Sequence, residues 1–477
     1  MTAVTTQPSR PVGAFSTTAD ASSTRRWVAL AAVLLATFMG LLDASVVTVS
    51  VPSIQQDLHA SFGEVQFVSA GYTLAYAIGL VTGGRLGDRY GRRRMFLMGV
   101  VLFVLASVAC AAAPSASVLI ATRVAQGLAA AVMLPQVLSI VQHAFTGPAR
   151  ATALGLYGAT IGVASIAGQI VGGALLSWNP LDLGWRSAFV VNVPIGAVAL
   201  VVASRTVPES RGARARLDLP GAGLLALALV ALLLPPVLDQ GWPTVVAGLA
   251  AAVVLLTVFV RVERRQGNPL IPMRLLTQRP LTRGLLTVLA FYAGNAGFFL
   301  LLAYHLQSGL GQSPLSSGLI FAPLGIAFAV TSLAGRRFGA LGLGTILMAI
   351  GLAGVLAVVL TVPEGSQVGW LLPVLTLVGA GQGLVAAPLI GTVLAGVDPA
   401  DAGAASGVLL TATQTANAAG VALIGGLFAR ALGNAPGSPG VSFAMYAHAT
   451  AVTTAAALVL TLATGLLVRN RSGAATA

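Results

Sequence analysis

Apolar residues fill this chain in long unbroken stretches, and the polar residues gather in the short segments between them. Fourteen such stretches can be marked: 27–51, 65–84, 95–113, 117–142, 151–177, 187–204, 219–238, 244–262, 284–308, 315–334, 340–362, 369–395, 404–430 and 446–468. Most are close to the ~20 residues that a helix needs to cross a bilayer core. The runs are continuous rather than alternating, which excludes a transmembrane β-barrel. The pattern predicts an all-α polytopic membrane protein with both termini on one side.

Composition agrees, because 56% of the 477 residues are hydrophobic and only 8% are charged. A soluble domain carries about 25% charged residues. The net charge of +13 would suit nucleic acid, but its placement argues otherwise. All 26 basic residues are arginines, and with the N-terminus inside, 23 of them fall in the tails and alternate loops on the inner side. Arg186 and Arg430 fall outside, and Arg123 lies within a stretch. Cytoplasmic loops carry such an excess, so both termini are expected in the cytoplasm and nucleic acid is not expected as a partner.

The stretches divide into a cytoplasmic tail at 1–26, a six-helix bundle at 27–204 and a linker with two extra transmembrane helices at 205–262. A basic interfacial loop at 263–283, a second six-helix bundle at 284–468 and a short cytoplasmic tail at 469–477 complete the chain. Two groups of six around an extra pair suggest repeated halves, as in secondary transporters. Residues 1–24 are polar and lack the short apolar core of a signal peptide, so the first run is expected to stay as a helix. The single cysteine, Cys110, sits in an apolar run and is expected to be packed, forming no intrachain disulfide.

Three places carry chemistry. Asp43 interrupts the first apolar run, and Arg123 interrupts the fourth. At helical rise Asp43 lies about 12 Å from the outer end of its run and Arg123 about 9 Å inside its own. Intramembrane ions at similar depth are expected to pair, and they are functional by default. The loop "GGRLGDRYGRRR" places Gly84, Asp88, Arg89, Gly91 and Arg92 together, with Gly91 free to take the positive φ of a tight turn. The fifth run holds Gly155, Gly168, Gly172 and Gly173, small residues that allow close helix contact.

These motifs resemble the major facilitator superfamily, and within it the fourteen-span drug:proton antiporters of EmrB/QacA type. The loop is similar to the family's G-x-L-x-D-R-x-G-R signature, "LDASVVTVSVP" to its first-helix motif, and "LIATRVAQGLAAA" to its L-x-x-x-R-x-x-Q-G pattern through Leu119, Arg123, Gln126 and Gly127. "WRSAFVVNVPIG", "YHLQSGLGQSPLSSGLIFAPLG" and "GAGQGLVAAP" are similar to further family stretches. One departure stands out: the fifth run reads "AGQIVGG", with Gln169 where the family's antiporter motif has proline. Proline would remove a backbone donor and bend the helix, and glutamine does neither.

The resemblance implies the major facilitator fold, two six-helix bundles plus two extra central helices, that rocks about a central cavity. It implies proton-coupled efflux of drugs or amphipathic natural products. As an intramembrane charge, Asp43 is expected to face the cavity and exchange its proton for substrate, the alternative being a brace for the first helix through Arg123. The loop at Asp88 would clasp the other half when the cavity faces outward. In the second half no acidic residue interrupts a run, and Asn295, Tyr304, Gln307, Gln414 and Asn417, with Gln382, are the candidate lining of a cavity for an amphipathic molecule. His305, near the outer end of its run, is expected to be solvated. No phosphate-binding loop and no metal-ligand cluster can be found in the sequence, so ATP hydrolysis, cofactors and metals are not expected. A monomer in the lipid of the cytoplasmic membrane is expected. Symport or uniport of a polar metabolite and a non-transporting sensor stay open as alternatives.

Overall fold

The computed structural model describes residues 17–210, 218–237, 242–266, 277–334, 341–394, 402–433 and 441–472. Arg211, Arg214, Arg216, Arg274, Arg336 and Arg337 therefore lie outside the described residues, as do residues 267–276 of the expected interfacial loop. Among the described residues there is no strand, and the chain is helical throughout. Eleven helices among the described residues are long and apolar enough to cross a membrane, or up to 12 when the bent pair Phe62–Leu80 and Thr82–Tyr90 counts as one span.

The first group comprises α1 (Thr17–Asp57), α2 (Phe62–Tyr90), α3 (Arg92–Ala111), α4 (Ala116–Ala144) and α5 (Gly147–Trp178). Helix α6 completes it in two pieces, Ser187–Val190 and Asn192–Thr206. Then come α7 (Leu219–Val237) and α8 (Trp242–Glu263). The last group is α9 (Arg279–Tyr304), α10 (Pro314–Ile320 continued by Ala322–Ala334), α11 (Leu341–Thr361), α12 (Gln367–Leu394), α13 (Ala402–Leu432) and α14 (Phe443–Ser472). Helix α1 begins ten residues before its apolar run, so the tail expected at 1–26 is already helical from Thr17. No glycine or proline between Thr17 and Arg26 stops it.

Local signals set several starts. Ser61 caps α2 in a reciprocal box, its Oγ accepting from Glu64 N–H while the Glu64 carboxylate accepts from Ser61 N–H at 2.9 Å. Ser115 and Ser313 cap α4 and α10 in the simpler way.

The packing repeats. In the first group α4 packs on α2 and α3, and α1 packs on α5 and α6. In the last group α12 packs on α10 and α11, and α9 packs on α13 and α14, the same pairs displaced by eight helices. The two groups meet along α2 with α13 and along α5 with α10, two seams that exchange under the same displacement. Helix α7 lies against both α2 and α13, and α8 packs on α7. Helix α8 is only 17% buried, which leaves it as an outer helix facing lipid.

The bundle has an arginine-rich end, with Arg85, Arg89, Arg92 to Arg94 and Arg205, and an arginine-poor end. At the poor end, Arg186 donates to Asp57 at 2.8 Å and Trp185 Nε1 donates to the same oxygen at 2.8 Å. One of the two stray arginines thus has a carboxylate beside it.

Candidate functional site

Asp43 and Arg123 form an ion pair of 2.6 Å, and each is at most 1% exposed. Burying such a pair is tolerable only when the remaining donors and acceptors are answered. Here they are. Asp43 Oδ1 accepts from Gln126 Nε2 at 2.9 Å and from Asn192 Nδ2 at 2.7 Å. Ser107 Oγ accepts from Gln126 at 2.7 Å and Asn192 at 3.2 Å. Arg123 also donates to Gln126 Oε1 at 2.6 Å and, through Nε, to the Val68 carbonyl of α2 at 3.1 Å. Its guanidinium stands over the Tyr72 ring at 4.3 Å and faces Phe189 at 5.7 Å. Cys110 is buried beside this network, its Sγ 3.6 Å from Gln126 Oε1.

This corrects one expectation. Asp43 does not face the space between the bundles; it points into its own bundle, at Arg123 and Gln126 of α4 and Asn192 of α6. The reason lies in three side chains the sequence reading did not single out as partners: Ser107, Asn192 and Tyr72. A polar residue within each of the apolar runs that form α2, α3 and α6 is the signal that was available, since a carboxylate in hydrocarbon goes where donors are.

The Asp88 loop is one residue wide. Gly91 ends α2 and begins α3 with φ of 107°, a region that L side chains rarely adopt. A Cβ there would lie 2.6 Å from Glu209 Oε1. Glu209 sits on the start of α3, accepting from the backbone N–H groups of Arg93 at 3.1 Å and Arg94 at 3.3 Å, where the helix dipole favours an anion. Asp88 pairs with Arg92 at 2.9 Å, and Arg92 also reaches His143 Nε2 at 2.9 Å. Arg89 lies over its neighbour Tyr90 at 5.3 Å. Arg92, His143 and Tyr90 belong to the first bundle, and Glu209 to the segment just after it. Close contact with α4 is made by Gly83 and Gly87, where a Cβ would strike Ala131 O and Gln136 Oε1. At Gly84 a Cβ would meet only ordinary contact, Pro135 at 3.8 Å, so Gly84 is not the crowded position.

Helix α5 runs unbroken from Gly147 to Trp178, as Gln169 in place of proline permits. It is wedged between two helices. Gly168 and Gly172 abut Ser45 and Val46 of α1, while Gly173 abuts Pro314 and Leu315 of α10 in the other bundle. The surroundings of Gly155 lie outside the described residues.

Of the candidates in the second half, Asn295 accepts from Gln382 at 2.7 Å, and Asn417 donates to Gln414 at 2.9 Å, both pairs half-buried within that half. Tyr304 and Gln307 do something else. Tyr304 OH donates to Gln55 Oε1 at 2.7 Å, and Gln307 Nε2 donates to the Val49 carbonyl at 3.0 Å, both across to α1. Around them Phe62 of α2 meets Tyr304 and Phe428, with ring centroids 5.4 and 5.9 Å apart. Leu315 N–H donates to Ser177 Oγ at 3.2 Å. These contacts close the arginine-poor end, so Tyr304 and Gln307 belong to a seam in this structure. His305 is likewise not solvated: it is fully buried, with Nε2 2.9 Å from Gln367 Oε1.

Residues 33–421 match the Major Facilitator Superfamily. The chain belongs to this superfamily. This facilitator is 39% identical over 428 residues to the probable actinorhodin transporter of Streptomyces coelicolor, covering 86% of this chain and 74% of that one. It is 38% identical over 415 residues to the puromycin resistance protein pur8 of Streptomyces alboniger, covering 84% and 81%. The cephamycin export protein CmcT of Amycolatopsis lactamdurans is 36% identical over 426 residues, with 86% and 87% covered. Among solved structures, a bacterial homologue of the human lysosomal transporter Spinster superposes with a TM-score of 0.65 over 93% of this chain and 96% of that one. At 19% identity it speaks to the fold alone. The facilitator is thus a multi-pass membrane transporter and not an enzyme, which sets the sensor reading aside.

Proposed function

We propose that this facilitator is a proton-coupled exporter of amphipathic organic compounds in a bacterial cytoplasmic membrane, working by alternating access as a fourteen-span monomer with both termini cytoplasmic. The observation that carries the reading is the fully buried Asp43–Arg123 pair, whose arginine also holds the backbone of α2 at Val68. A proton arriving at Asp43 weakens that pair. Arg123 then leans on the partners it keeps, and two of them, the Val68 carbonyl and the Tyr72 ring, belong to a seam helix. Charge on one carboxylate is thereby tied to the contact between bundles. Export of natural products draws support from relatives named for actinorhodin, puromycin and cephamycin. With the arginines on the cytoplasmic side, the contacts at the arginine-poor end would close the outer side of the cavity in the state described here. A second reading, symport or uniport of a polar metabolite, takes its support from Gln169 and the unbroken α5.

The deciding experiment is uptake into vesicles under an imposed pH gradient, with a panel of lipophilic compounds. Proton movement against substrate movement supports export by antiport, movement together supports the second reading, and no substrate-linked proton movement overturns coupling altogether.

The orientation makes its own prediction. A reporter fused after Arg471 is expected to read as cytoplasmic, and a periplasmic signal there would overturn the assignment of both termini.

The Asp88 loop makes another. Its pair with Arg92 is partly exposed, and such pairs are worth about 0–1 kcal/mol. Asp88→Asn is expected to insert normally and to transport a few-fold more slowly, because the loop loses the charge with which it would clasp the other half in the outward-open state. Wild-type turnover in that variant would leave the loop a topological role only.

A further inference from the structure

The two seams that close the arginine-poor end carry polar groups they do not answer. On α2, Gln66 is 2% exposed and its Oε1 has no hydrogen-bond partner. It occupies the space left by Gly425 of α13, where a Cβ would collide with that same oxygen. Ser69, one turn further along α2, also has an unpartnered buried Oγ. On α5, Gln169 is 8% exposed, with Oε1 again unpartnered. Its backbone carbonyl abuts Gly318 of α10, and the adjacent Ser317 is fully buried with no partner for its Oγ. Both seams thus set a glutamine of the first bundle against a glycine of the second, Gln66 through its side chain and Gln169 through its backbone carbonyl.

Buried acceptors without donors are rare in folded proteins, and each raises the free energy of the state that buries it. Shape is well served at both places, since the glycines let the helices approach closely. Polarity is not. The discrepancy disappears once the seam parts, because water then reaches the carboxamides.

We propose that Gln66 and Gln169 are positioning residues of the transport cycle, whose unanswered oxygens weaken the closed seams enough for this end to open during turnover. Gln169, the departure from the family's proline, then has a task of its own. The proposal rests on the alternating-access reading. Glutamines that served only as filling would behave differently: an apolar residue of similar length would then leave the seam as it is.

The test uses the full-length chain in membranes, with neither substrate nor pH gradient. Val51 is fully buried in the cluster that joins the bundles at this end, and Val51→Cys makes it a reporter for a thiol reagent. The native Cys110 is also fully buried, and the chain without the reporter supplies the background. Gln66→Met and Gln169→Met each remove the unanswered oxygen while keeping length. Both are expected to slow modification of the reporter by roughly 5- to 150-fold, the range spanned by one unmade hydrogen bond. Gly425→Ala introduces the Cβ that collides with Gln66, and it is expected to speed modification. Unchanged or faster labelling in the two methionine variants overturns the proposal, and so does unchanged or slower labelling in Gly425→Ala. Should one methionine variant fail to reach the membrane, the other and Gly425→Ala decide, with opposite signs. Because no gradient is applied, failure here leaves proton coupling at Asp43 standing, and failure of coupling leaves these rates unaffected.

Discussion

Asp43→Asn is expected to abolish uphill transport driven by a pH gradient while leaving downhill movement of neutral substrates in place. Asparagine keeps the size of the side chain and one acceptor oxygen, so hydrogen bonds from Gln126 and Asn192 can persist. What it cannot do is take up and release a proton. If substrate and proton compete, linkage requires that lower pH weaken substrate binding, by the same factor that substrate weakens proton binding. In Asp43→Asn that dependence on pH should vanish along with accumulation. Vesicle uptake at several pH values, with and without a gradient, reads both. Proton-driven accumulation that persists undiminished would return Asp43 to a purely structural role as the partner of Arg123.

The second large effect is on stability. Arg123→Ala should destabilise the protein by about 3–5 kcal/mol, since it strands a buried carboxylate without its cation. Set against a typical total of about 5–15 kcal/mol, that is enough to reduce folded yield or heat stability visibly. Asp43→Asn should cost less, because Arg123 keeps the Val68 carbonyl, Gln126 and the faces of Tyr72 and Phe189. Combining Asp43→Asn with Arg123→Ala should recover part of the stability lost in the arginine variant, since no charge is then left stranded, while accumulation stays absent. Thermal unfolding of the purified variants measures the first effect and uptake the second. A double variant no more stable than Arg123→Ala alone would mean that the pair is not the origin of the loss.

The geometry around Asp43 explains why these two predictions belong together. A carboxylate inside one bundle, away from the junction, can influence transport only through something that reaches the junction. Arg123 is that connection, because it touches α1 through Asp43 and α2 through Val68 and Tyr72. Gln66 lies on the same helix, α2, as Val68 and Tyr72. The Asp88 loop, by contrast, is tied in this structure to Arg92 and His143 of its own bundle and to Glu209 just after it. Its effect on the cycle is accordingly expected to be smaller.

By itself the sequence determined the helical class, the place of nearly every helix to within a few residues, and the concentration of arginine at one end. It also picked out Asp43 and Arg123 as partners and Gly91 as the turn, because charge in hydrocarbon and a positive φ each admit few solutions. Tertiary structure alone decided where Asp43 points, that Tyr304 and Gln307 close a seam, that His305 is buried and that Gln66 stands against Gly425. The reason is the solvent. In water a helix declares its buried face by a stripe of apolar residues, but a helix in lipid is apolar all round. Leucine facing a neighbour and leucine facing lipid look alike in sequence, so the rotation of each helix, and with it the partner of every polar side chain, is set by packing between helices far apart in the chain.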